Sequence, residues 1–210
     1  MERQASNPFC TRFVRPGAIS YRFSSRPVST GPLQELVDRI PENRFSAIVG
    51  NHGTGKSTLI RSLAPLLSNR FDTIGEVLLC AREPKTNRWC HHNQTRDQVT
   101  REQSRIKSGG LLIIDGLEQL SFPAILVIGI RAKRRGQQVL ATSHHPILGF
   151  KTLHRTTLSA ELVQELTEQL IDGIPSDQKR LVMNEVQRRM ASETVNLRDL
   201  WFDCYDLVCR

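Results

Sequence analysis

A chain of 210 residues, 39% hydrophobic and 24% charged, can bury one substantial α/β core but has little left over for a separate effector domain. Its net charge of +8 and a sequence pI near 9.7 make an anionic partner, nucleic acid included, worth considering. No run approaches the ~18 apolar residues that cross a bilayer, so no membrane insertion is expected, and five scattered cysteines with no secretory signal ahead of them point to reduced thiols in the cytoplasm.

Residues 1–31 read as a basic arm. Arg3, Arg12, Arg15, Arg22 and Arg26 face only Glu2, and Pro8, Pro16 and Pro27 break any long periodicity, so an irregular segment with one short strand at most is expected. Pro32 to Pro41 carries Leu33, Leu36, Val37 and Ile40 at the spacing of a short amphipathic helix. Phe45-Ser46-Ala47-Ile48-Val49 reads as a buried strand, and Leu59, Ile60, Leu63 and Leu67 predict a helix over 56–68. Between them, Gly50-Asn51-His52-Gly53-Thr54-Gly55-Lys56-Ser57 fits G-x-x-x-x-G-K-[ST] without a mismatch. A glycine loop between strand and helix aims successive backbone N–H groups, and the positive end of the helix, at phosphate oxygens. Gly50, Gly53 and Gly55 supply the backbone freedom this needs. Lys56 is placed to reach the β and γ phosphates and Ser57 to ligate Mg²⁺, with Asn51, His52, Thr54 and Thr58 completing the nucleotide-binding set.

The next strand is expected over 76–81 and the next helix near 95–107. Cys90-His91-His92 offers zinc-type side chains, but no second pair stands at useful spacing. Leu111-Leu112-Ile113-Ile114-Asp115 reads as a central parallel strand that delivers a carboxylate to its C-terminal end, where open α/β sheets bind ligands. Asp115 is then either a partner for the Mg²⁺ held by Ser57 or a cap for the helix expected over 117–135. The residue after it is Gly116, and the first acid is Glu118. Glu118 either turns toward the site as the base for a water or favours the dipole of that helix from its first turn. At the helix end, Arg131-Ala132-Lys133-Arg134-Arg135 either meets phosphates, on nucleic acid or across a subunit boundary, or complements the helix C-terminus. Val139 to Thr142 predicts another buried strand, after which Ser143-His144-His145-Pro146 would lie beside the γ phosphate. His144 is the first candidate to register that phosphate and Ser143 the second, the alternative being a solvent-exposed histidine pair. A strand over 152–158 follows. The expected topology is a parallel sheet whose phosphate-loop strand lies between the neighbours of the strand ending in Asp115.

Beyond Ser159 the apolar positions Leu162, Val163, Leu166 and Leu170, then Leu181, Val182, Val186 and Met190, recur at helical spacing, and a third segment spans 197–208. Taken together, GNHGTGKST, LLIIDGLEQL and VLATSHHP resemble the three core motifs of the additional-strand P-loop ATPases, the division that contains AAA+, STAND and ABC proteins. DGLEQL is most similar to the acidic motif of STAND and NACHT ATPases, where a small residue follows the metal aspartate. His144 departs from their strand-end arginine, and Ser108-Gly109-Gly110 lies too close to the acidic strand to be the signature segment of an ABC ATPase. The resemblance implies a three-layer α/β P-loop NTPase core over 32–158, a helical lid over 159–210, and Mg²⁺-dependent ATP hydrolysis that drives a conformational switch, with a protein partner or a homo-oligomer possible. It implies further that Arg198, opening the last helix, reaches the phosphates, and that Phe13, Tyr21 or Phe23 stacks on adenine or else packs on the domain surface. Two other functions remain open at this point: a small-molecule or nucleotide kinase, and an interaction module that binds ATP and barely turns it over.

Overall fold

The computed structural model describes residues 7–23, 30–81, 88–191 and 196–209. Glu2, Arg3, Arg26 and Pro27 of the basic arm lie outside them. In chain order the elements are α1 (Thr11–Val14), α2 (Thr30–Glu42), β1 (Phe45–Val49), α3 (Lys56–Arg70), β2 (Ile74–Leu78), α4 (Arg88–Arg105), β3 (Leu111–Asp115), a 3₁₀ turn (Leu117–Gln119), α5 (Phe122–Arg134), β4 (Gln138–Ser143), β5 (Lys151–Arg155), α6 (Ala160–Leu170), α7 (Ser176–Met190) and α8 (Leu197–Val208). The described residues of Ser29–Gly50 and Ile60–Arg155 pack as one compact unit, and those of Met1–Val28, Asn51–Leu59 and Thr156–Arg210 as another.

The first unit is a five-stranded, wholly parallel sheet in the order β2-β3-β4-β1-β5. β1 therefore lies between β4 and β5. This corrects the expectation that it would lie between the neighbours of β3, which are β2 and β4. β3 is buried at all five positions, as an aliphatic strand covered on both faces must be. Against it pack Val99 and Ile106 near the end of α4, and Ala124, Ile128 and Ala132, one helical turn apart on α5. The opposite stripe of α5 leaves Phe122, Leu126, Val127 and Ile130 exposed.

Several boundaries differ from the sequence reading. The helix expected over 117–135 is interrupted: Gly116 is left-handed, Leu117–Gln119 makes one tight turn, and α5 begins afresh with Pro123 in its first turn, where a missing N–H costs nothing. α4 starts at Arg88 rather than near 95, β2 spans 74–78 rather than 76–81, and β5 ends at Arg155 rather than at 158. Part of the basic run serves the fold. Arg131 donates to Ser104 Oγ at 3.2 Å, and Arg135 donates to the carbonyls of Ser104 and Ile106 at 2.9 and 3.3 Å, closing the C-terminal end of α4. Lys133 and Arg134 remain exposed.

In the second unit α6, α7 and α8 enclose Val163, Val182, Val186, Leu200, Trp201 and Cys204. The arm contributes to this core rather than trailing from it. Phe9 is 4% exposed, Asn7 Nδ2 donates to the Tyr205 carbonyl at the end of α8 (2.9 Å), and Arg22 pairs with Glu165 and Gln169 on α6. Among its described residues the arm forms the turn α1 and an isolated bridge between Pro16 and Ile19. Burial pushes the Cys204 thiol up to about 12, which makes it an inert core group.

The indole N–H of Trp201 donates to Thr167 Oγ1 at 3.1 Å, while that hydroxyl donates to the Val163 carbonyl. Thr167→Val keeps the shape and removes the acceptor, leaving a buried donor unpaired; the expected loss is ~1–3 kcal/mol, read as a lower urea midpoint at unchanged m-value. In the sheet unit, burial lowers the pKa of His154 on β5. The unfolded chain therefore takes up the proton more readily, so stability is complete above the ordinary value of 6.5 and declines as pH falls below it. Urea melts of His154→Gln between about pH 7 and 5 should show a flatter decline than the parent chain.

Candidate nucleotide site

Because every strand runs the same way, β1, β3 and β4 all end at one edge of the sheet. There the Gly50 amide donates to the Ser143 carbonyl at 3.1 Å, tying the first residue of the glycine motif to the end of β4. Asp115 closes β3 at 8% exposure, and its Oδ1 accepts from Thr142 Oγ1 at 2.6 Å. The Gly116 amide donates to the same Thr142 oxygen at 2.8 Å. Thr142 thus fixes both the carboxylate and the first backbone group beyond it. The signal for this role in the sequence is a threonine following the aliphatic run Val139-Leu140-Ala141.

Gly116 has φ of +95°, and a Cβ there would stand 2.7 Å from the Leu79 carbonyl, so no larger residue fits without displacement. That sharp turn decides where Glu118 goes. Its Oε1 lies 2.9 Å from His144 Nε2, with both side chains mostly shielded. The structure therefore brings together the candidate base and the candidate phosphate-sensing residue, which sequence spacing did not connect. Ser143 is engaged locally, its hydroxyl accepting from the His145 amide at 3.3 Å.

The rest of the glycine motif belongs to the second unit. Gly53 and Gly55 adopt φ of +72° and +93°, conformations that favour glycine. Gly50 is not in the left-handed region. A Cβ on Gly53 would stand 2.0 Å from Asn196 Oδ1, and one on Gly55 3.2 Å from the ring of Tyr21. Tyr21, packed edge-on to Phe23 at 5.0 Å, is shielded enough for burial to push its phenol up to about 12. The Lys56 ammonium donates to the Asn51 carbonyl at 2.8 Å, as does the Thr54 hydroxyl at 2.9 Å. Ser57 and Thr58 stand half-buried in the first turn of α3, while Asn51 and His52 are exposed. Asn196 caps α8 by accepting from the Arg198 amide at 3.1 Å, so the helix turn that carries Arg198 begins beside Gly53, with the Arg198 side chain exposed.

Gly116→Ala tests how strictly the turn after Asp115 is specified. The left-handed backbone and the blocked Cβ together predict a loss of roughly 1–3 kcal/mol, together with a change in the His144 imidazole resonances by NMR as Glu118 is displaced.

No family model matches the chain. Among curated proteins it is 23% identical over 158 residues to "Uncharacterized protein ycf45" of Cyanidium caldarium, covering 75% of this chain and 47% of that one. It is 32% identical over 96 residues to "Petrobactin import ATP-binding protein FpuD" of Bacillus anthracis, covering 43% of this chain and 32% of that one. The chain thus spans half or less of the length of these relatives. Among solved structures, AMPPCP-bound DnaA from Aquifex aeolicus superposes with a TM-score of 0.50 at 12% identity, over 89% of this chain and 62% of that one. With a five-stranded parallel sheet, a glycine loop after β1 and an aspartate closing β3, the chain has an α/β fold similar to that of the DnaA structure.

Proposed function

We propose that this chain binds ATP with Mg²⁺ and hydrolyses it, using the cycle to shift its C-terminal helices. The observation that carries the reading is the glycine motif Gly50–Ser57 leaving β1 at the sheet edge where β3 ends in the buried, hydrogen-bonded Asp115. In the proposed cycle the loop amides and Lys56 hold the phosphates. The Asp115 carboxylate, fixed by Thr142, and the Ser57 hydroxyl would hold the cation, hard oxygen donors of a kind that suits Mg²⁺. When bound, the cation would neutralise phosphate charge. Lys56 gives up the Asn51 carbonyl to meet the triphosphate. His144 gives up Glu118 to donate to the γ phosphate, which frees the Glu118 carboxylate to accept a proton from the attacking water. Arg198, on the turn capped beside Gly53, carries the change to the helices. The DnaA structure similar in fold holds an ATP analogue, and FpuD is named as ATP-binding; both support ATP as the ligand. Gly116 after the metal aspartate favours the STAND-like side of the division.

Gly116 also favours a second reading, a module that binds ATP and turns it over slowly, because no acid directly follows Asp115. One set of measurements separates the two. Lys56→Ala should abolish ATP binding by calorimetry, and an unchanged affinity would remove the basis for the site. Glu118→Gln should bind ATP normally while phosphate release falls by a factor on the order of 10²–10⁴; unaltered turnover would favour the slow module.

A further inference from the structure

Thr156 follows directly on β5 and opens the segment leading to α6. It is 3% exposed, and its Oγ1 lies 2.6 Å from Oγ1 of Thr54 in the phosphate loop. Thr54 has a single hydroxyl proton, and its oxygen also stands 2.9 Å from the Asn51 carbonyl, which can only accept. The proton between the two threonines therefore comes from Thr156. The Asn51 carbonyl has the Lys56 ammonium as its second donor, at 2.8 Å. A continuous line results: Thr156 donates to Thr54, Thr54 donates to Asn51, and Lys56 rests on that same carbonyl. On either side a side chain closes over the loop, Asn196 at Gly53 and Tyr21 at Gly55, where a Cβ would be crowded.

We propose that Thr156 is a positioning residue for the phosphate loop, its hydroxyl orienting Thr54 and through it the carbonyl from which Lys56 departs when a triphosphate arrives. The inference rests on the nucleotide-binding reading above and adds to it a residue remote in sequence. Once Lys56 moves to the phosphates, the Asn51 carbonyl keeps one donor only if Thr54 stays oriented, and Thr54 stays oriented only while Thr156 donates to it. The start of the C-terminal helices is thereby coupled to loop occupancy through two hydroxyl groups.

The test uses the full chain and the pair Thr156→Val, which keeps shape and loses the hydroxyl, and Thr156→Ser, which keeps the hydroxyl. In Thr156→Val the affinity for Mg-ATP should fall about five- to twenty-fold, with KM rising while kcat changes less than about twofold. Thr156→Ser should restore affinity to within about twofold, and adding Thr54→Val to Thr156→Val should weaken binding little further, since both remove the same line. Without nucleotide, amide exchange over residues 52–57 should accelerate in Thr156→Val and not in Thr156→Ser. Unchanged affinity and exchange in Thr156→Val, or a loss that serine does not restore, would overturn the assignment. Should the parent chain bind no ATP, the nucleotide reading fails separately, and the exchange rates still decide the coupling.

Discussion

Parallel strand direction is the constraint on which the rest of this molecule depends. A parallel sheet needs a crossover after every strand, and the crossovers deliver the C-terminal ends of all five strands to one edge. Gly50, Asp115 and Ser143 meet there because β1, β3 and β4 point the same way, although they are distant in sequence. The burial of β3 on both faces makes its terminal carboxylate costly unless it is bonded, and Thr142 on the neighbouring strand supplies that bond. The same threonine accepts from the Gly116 amide, so satisfying a buried acid also fixes the turn beyond it.

That turn explains an arrangement that neither motif contains alone. With Gly116 in the left-handed region the chain enters a single 3₁₀ turn, and from that turn Glu118 meets His144. The carboxylate and the imidazole satisfy each other in a partly shielded place, and each is available to a ligand that offers a better partner. The phosphate loop follows a similar logic. Its ammonium rests on a carbonyl of its own loop, a neutral acceptor that a triphosphate would readily displace.

Much of this was readable in the residues. The glycine motif, the aliphatic run closing in Asp115 and the helical spacing of Leu162, Val163 and Leu166 each follow from a local rule, and those elements stand where the rules put them. What escaped were contacts between segments remote in sequence. Nothing local links Thr156 to Thr54 or Asn196 to Gly53, because those pairings are set by where the sheet and helices bring the chain back. The order of the strands escaped for the same reason, as did the use of Arg131 and Arg135 to close the end of α4, since a run of cations reads alike whether it meets carbonyls or phosphates. The single helix expected over 117–135 is broken on a local ground instead: Gly116 and Pro123 punctuate an apolar periodicity that otherwise runs on.

The placement of β1 has a consequence for how the protein comes into being. Both of its partners arrive late: Phe45 faces Val139 on β4, and Ser46 faces Lys151 on β5. During synthesis the ribosome has released β1 long before either neighbour exists, so the aliphatic edge of Ala47, Ile48 and Val49 stays unpaired while about a hundred further residues emerge. The nascent chain is therefore exposed to misassociation until β4 is complete, and the glycine loop that leaves β1 can take its final form only after that strand has been made.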